Sequence, residues 1–70
     1  MSRALTREDQ ERLLRRLRSE DETLRAHAIL QLTEDASGLA AARPALAEAL
    51  GDDVPEVRRL AAWALSRIAA

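Results

Sequence analysis

The residues best suited to chemistry lie in the last stretch of the chain, GDDVPEVRRLAAWALSRIAA, from Gly51 to Ala70. Trp63 is the only aromatic residue in the protein, and Arg59 and Arg67 stand one helical turn before and after it. On a helix that spacing places both guanidinium groups beside the indole ring. Such a face can do two things. It can fold inward, with the Arg stems laid over the ring. It can also anchor another chain, because Trp and Arg dominate the energetic centres of interfaces.

No comparable constellation exists for catalysis. Cys is absent, which excludes disulfides, thiolate metal sites and Cys nucleophiles. His27 is the only His, and one imidazole cannot build a zinc site without several carboxylates beside it. It reads as a structural or surface residue, with a pH-sensitive interface contact as the alternative. Ser, Thr and acids are present, but no nucleophile–base pairing, phosphate loop or metal spacing is readable. The expectation is a protein that is not an enzyme and holds no cofactor and no metal. Nucleic acid could meet Arg12, Arg15 and Arg16, but a formal net charge of −1 and the lack of further stacking aromatics argue against it. The longest apolar run falls far short of a bilayer span, and no signal-type stretch follows the basic N-terminus. A soluble, cytoplasmic chain without membrane contact is expected.

The elements that must position Trp63 follow from size and composition. Seventy residues allow one domain, 1–70. A chain this short buries only about 60% of the surface its unfolded form exposes. Domains below roughly 70–80 residues need a staple: disulfides, a metal, very regular helix packing or a partner. Without Cys, helix packing and association remain. Ala and Leu dominate the apolar residues while Val and Ile number two each, so the fold class expected is all-α.

Sliding the sequence by 33 residues superposes Leu13 on Leu46, Leu17 on Leu50, Arg25 on Arg58, Ala28 on Ala61 and Leu32 on Leu65. The same shift puts Leu24 on Val57, Glu20 on Asp53 and Thr33 on Ser66. The matched apolar positions have helical spacing in both copies. Two repeats are therefore expected, about 6–33 and 37–70, each a pair of helices.

Helix one should start after Thr6, with Asp9 completing a capping box, and run to about Arg18 on a stripe of Leu13, Leu14 and Leu17. Glu8 with Arg12, and Glu11 with Arg15, form i,i+4 pairs on its wet side. Helix two should follow the box Ser19-Glu20-Asp21-Glu22 and run to about Thr33. Helix three spans roughly 36–50, with Leu39, Ala42, Leu46, Ala49 and Leu50 as its core stripe and Ala40, Ala41, Ala45 and Ala47 off it. Pro44 inside it predicts a kink or a late start. Gly51 suits the left-handed position that ends a helix. Helix four then opens with Asp53 as cap and Pro55 in the tolerant first turn.

The stretch LAEALGDDVPEVRRLAAWALSRI resembles a short HEAT-type repeat, similar to the HEAT-like repeats of phycobilisome lyases. The resemblance is carried by Leu46, Leu50, Asp52-Asp53, Val57-Arg58, Ala61, Ala62, Ala64, Leu65 and Ile68, with Pro44 at the place of a kinked first helix. LLRRLRSEDETLRAHAILQL matches more loosely through Leu13, Leu17, Leu24-Arg25, Ala28 and Leu32. What this implies is four helices in two antiparallel pairs, stacked as a short α-solenoid.

On helix four, Val57, Leu60, Ala61, Ala64, Leu65 and Ile68 form one apolar arc, and Trp63 lies outside it. Its counterpart one repeat earlier is Leu30, also large, apolar and off the main arc. A second apolar face in both copies points to a surface that meets a neighbour. The expected interface residues are Trp63, Leu30, Leu60, Arg59 and Arg67, and the expected partner is another copy of the chain in a symmetric homo-oligomer. Charge fits such association: residues 1–18 hold six Arg against three acids, while 19–56 hold two Arg against nine acids. Macrodipole preferences at helix ends account for much of the same pattern. All eleven basic residues are Arg, which fits a designed sequence built on the repeat. It also fits a natural HEAT-like adaptor from a high-GC genome that binds a protein or peptide partner.

Overall fold

The computed structural model describes residues 5–69, so the outer limits of the expected domain, 1–70, lie outside the described residues. Five helices follow one another: α1 (Arg7–Arg16), α2 (Glu22–Leu32), α3 (Ala36–Ala41), α4 (Arg43–Ala49) and α5 (Pro55–Ala69). No strand occurs among the described residues. The class is all-α as expected, but the expected third helix is two.

Pro44 is the reason. It has no N–H to donate to the carbonyl of Ala40, and its ring presses on that same turn. Helical geometry lapses at Ala42 (φ −86°, ψ −1°) and resumes with Pro44 in the first turn of α4. There a missing donor does no harm. Backbone bonding still spans the break: the Ala42 N–H donates to Gly38 at 3.1 Å, and the Ala42 carbonyl accepts from Leu46 at 2.8 Å.

Local polar contacts set the helix starts. The capping box at α1 forms as expected: the Asp9 N–H donates to Thr6 Oγ1 at 3.0 Å and the Thr6 N–H to the Asp9 carboxylate at 3.1 Å. Asp9 also takes the Arg12 guanidinium, which the sequence had assigned to Glu8. No ion pair joins Glu11 to Arg15 among the described residues. At α2 the cap is Asp21, which accepts from the Thr23 N–H at 2.9 Å, while Ser19 serves the turn before it by accepting from the Asp21 N–H at 3.0 Å. Asp35 caps α3 through the Gly38 N–H at 3.0 Å. Gly38 packs closely, since a Cβ there would lie 3.0 Å from the Leu5 Cδ1 methyl. Gly51 plays no left-handed role, since no described glycine has positive φ. Instead α4 ends in tight i→i+3 bonds, Gly51 N–H to Glu48 and Asp52 N–H to Ala49.

Packing joins α1 to α2, α2 to α5 and α4 to α5, with α3 against α2, α4 and α5. The buried core takes Leu13 and Leu17 from α1 and its end, Ala28, Ile29 and Leu32 from α2, and Leu39 and Ala42 from the α3 segment. Ala45, Leu46 and Ala49 from α4 join Val57, Ala61 and Ala64 from α5. Leu60, Leu65 and Ile68 are half-buried and pack against this cluster. Two expectations for the third helix reverse. Ala45 is buried in the core cluster and lines one cleft with Leu17 and Ala49. Leu50, past the end of α4, is 45% exposed.

Candidate protein-interaction surface

The residues singled out from the sequence fall on α2 and α5. Trp63 is 44% exposed and Leu30 is 43% exposed, so neither is absorbed by the core. The Arg67 guanidinium lies 5.5 Å from the centre of the Trp63 ring, within cation–π range. Arg59 does not join it. Its guanidinium pairs with Glu56 one turn earlier at 3.6 Å, with both side chains largely exposed. Leu60 is half-buried against the core and offers only its outer edge. The α5 backbone at this point is locally braced, since Ser66 Oγ donates to the Trp63 carbonyl at 2.6 Å. On α5 this leaves a half-exposed indole flanked by one cation, and on α2 a large apolar side chain, Leu30, that is exposed to the same degree.

His27 is exposed and lines a shallow depression with Glu22, Thr23, Ala26, Val54, Glu56 and Val57. Neither it nor any other cluster of His, Asp and Glu among the described residues has the arrangement of a metal site. No described helix is long and apolar enough to cross a membrane.

The strongest polar site is one that sequence reasoning missed, between α2 and the turn before α5. Arg25 of α2 donates through Nε and Nη2 to the two carboxylate oxygens of Asp52, at 2.9 and 3.0 Å. Its Nη1 donates to the Ser19 and Glu20 carbonyls at 2.8 and 3.1 Å. The same Asp52 carboxylate accepts from the Val54 N–H at 2.9 Å, holding the turn that opens α5. Both side chains are nearly buried, at 12% and 11% exposed. The hydrogen bond to Asp52 raises the Arg25 pKa above its ordinary value, against the effect of burial. For Asp52, burial pushes the pKa up, but the bonds from Val54 and Arg25 outweigh it and hold the carboxyl below its ordinary value. Arg58, the counterpart of Arg25, repeats half of this arrangement: its Nη1 donates to the Asp52 carbonyl at 2.7 Å. Arg25 and Arg58 superpose in the 33-residue shift, and so do Ser19 and Asp52, which was the signal available in the sequence.

These features amount to a helical scaffold with a polar brace inside and apolar side chains outside. The family described as HEAT repeats matches residues 10–70. No curated protein and no solved structure matches the chain significantly. A match over that span, together with the helical architecture and the repeated Arg clasp, places this chain in the HEAT-repeat family.

Proposed function

We propose that the chain is a non-catalytic interaction module whose two helix pairs, each antiparallel, stack as a short solenoid and bind a second copy through the surface around Trp63. One observation carries the reading: Trp63 and Leu30 occupy matching positions in the two halves, and both keep more than two-fifths of their surface in solvent. Large apolar residues repeated on one exposed side are the ordinary mark of a surface that meets a partner. Leu60 and the Arg67 stem extend the apolar area beside the indole, and Arg59 supplies a polar rim. A two-fold is the commonest way for a chain to cover such a patch with itself. Half of an indole's surface, at about 25 cal/mol per Å², is worth on the order of 2 kcal/mol per chain. That suits a modest, concentration-dependent association.

Sedimentation of the pure chain with Trp63 emission recorded on dilution tests this. A discrete oligomer whose emission shifts red as it dissociates, and a Trp63→Glu variant that stays monomeric while keeping its helical spectrum, are the expected results. A monomer at all concentrations, with emission independent of dilution, would overturn self-association and leave a foreign protein or peptide as the occupant.

A further inference from the structure

Four residues of α5 make a stripe that is its own complement. Glu56, Leu60, Trp63 and Arg67 follow one another at steps of four, three and four. At 100° per residue they fall within roughly 60° of the helix circumference. The order is acid, apolar, apolar, base, and the spacing is the same from either end. Leu60 and Trp63 stand at equal distances along the helix from a point between Ala61 and Ala62. Glu56 and Arg67 stand farther out, each about 8 Å from that point along the axis.

Each member of the stripe has surface left to offer. Trp63 is half-exposed, Glu56 and Arg67 are exposed, and Leu60 keeps an outer edge. The Arg67 guanidinium lies over the indole of its own chain and makes no ion pair among the described residues. Glu56 is held only loosely, 3.6 Å from Arg59, and it lines a shallow depression together with Glu22. A guanidinium arriving there meets two carboxylates.

We infer that the second copy crosses this one with its α5 antiparallel, about a two-fold axis through the midpoint of the stripe. Trp63 of each chain packs on Leu60 of the other, and Arg67 of each enters the depression at Glu56 of the other. The inference rests on the self-association proposed for the Trp63 surface and adds its register and its charge pairs. Two other alignments match the stripe less well. Parallel α5 helices in register set Glu56 on Glu56 and Arg67 on Arg67, with like charges in contact. Laying α5 over α2 of the second copy sets Trp63 on Leu30 and Arg67 on Glu34. Glu34, however, lies beyond the end of α2 and lines a cleft with Arg12 and Arg16 of α1. The antiparallel crossing also opposes the two helix dipoles. Exposed charge pairs add little affinity, but they select orientation because the wrong ones repel.

Charge reversal reads the register. Sedimentation equilibrium is run at low salt, where exposed charges are least screened. Arg67→Glu and Glu56→Arg should each weaken dimerisation of the pure chain about fivefold or more. The chain carrying both changes should return to about the affinity of the parent. Mixed together, the two single variants should form a heterodimer in preference to either homodimer, because both charge pairs are then complementary. That arm compares the variants with each other, so a loss of helix stability in either does not mimic it. If Trp63→Glu abolishes association while neither reversal changes it, the register falls and the Trp63 surface stands. If Arg67→Glu alone weakens association and Glu34→Arg restores it, α5 lies across α2 and the antiparallel crossing is overturned. If the parent is monomeric at all concentrations, surface and register fall together.

Discussion

Leu17 and Leu50 superpose at the 33-residue shift, yet Leu17 is 6% exposed and Leu50 is 45% exposed. Their local position does not separate them, since Leu17 is the C-cap of α1 and Leu50 the C-cap of α4. What separates them is the covering: Leu17 belongs to the buried core cluster that includes Ala45 and Ala49, and Leu50 does not. In a repeat protein burial belongs to the stack more than to the residue. The pair therefore offers an internal control in which side chain and register are constant while the covering layer is not.

The largest expected effect tests that control directly. Leu17→Ala should cost about 2–5 kcal/mol, the range for emptying a closed apolar site. Leu50→Ala should fall within about 1 kcal/mol, because much of its surface is already in water. Urea unfolding of both variants measures the difference. Equal losses would show that Leu50 is covered in solution, by self-association or by the chain itself.

The same comparison explains how much was legible in the sequence. Leu13 and Leu46, Ala28 and Ala61 superpose at a 33-residue shift and are all buried, so the periodic apolar pattern located the centre of the core. The pattern failed at Leu50 and Ala45, where burial depends on packing between helices distant in sequence and not on the period along one helix. It also failed at Asp52: a carboxylate beside a helix start reads as a cap, and only the fold brings Arg25 within reach from 27 residues away. Trp63 was legible as a residue outside the apolar arc, and its cation–π contact with Arg67 follows from helical spacing. The idea that Arg59 shares the ring did not hold, because Glu56 offers it an ion pair.

The next effect in size concerns the junction. Asp52→Asn keeps an oxygen to accept from the Val54 N–H but removes the charge that Arg25 holds. At pH 7 the melting temperature should fall on the order of 5 °C. The acid limb distinguishes this from general damage. Because the folded carboxyl lies below the ordinary value of 3.8, the unfolded chain binds more protons in mild acid. The stabilisation from Asp52 is full above that ordinary value and is lost as pH falls through the lowered folded one. The parent should therefore lose stability along this window more steeply than the Asn variant. Parallel acid limbs would show that the charge contributes nothing to holding the halves together. Arg58→Ala, by contrast, should leave the acid limb unchanged, since its guanidinium bonds the Asp52 backbone carbonyl, which does not titrate.

The smallest effects compare the two ways in which the halves open their second helices. In the first, the Asp21 carboxylate accepts from Thr23 and Ser19 Oγ accepts from Asp21. In the second, Asp52 takes over the Ser19 task by accepting from Val54, and the position matching Asp21 is Val54, which has no oxygen to offer. Pro55 compensates by removing one orphan donor and fixing a helical φ in the first turn. The sequence points to Asp53 as the cap, but that side chain is 95% exposed and reaches the Arg25 guanidinium only at 3.8 Å. Asp21→Ala should then cost about 1 kcal/mol, as loss of a side-chain cap does. Asp53→Ala should stay within about 0.5 kcal/mol, because its ion pair with Arg25 is long and its side chain lies almost wholly in solvent. Thermal melts of the two variants read both values. A loss at Asp53 equal to that at Asp21 would mean that Asp53 swings onto the Glu56 N–H in solution, and that the second half opens its helix as the first one does.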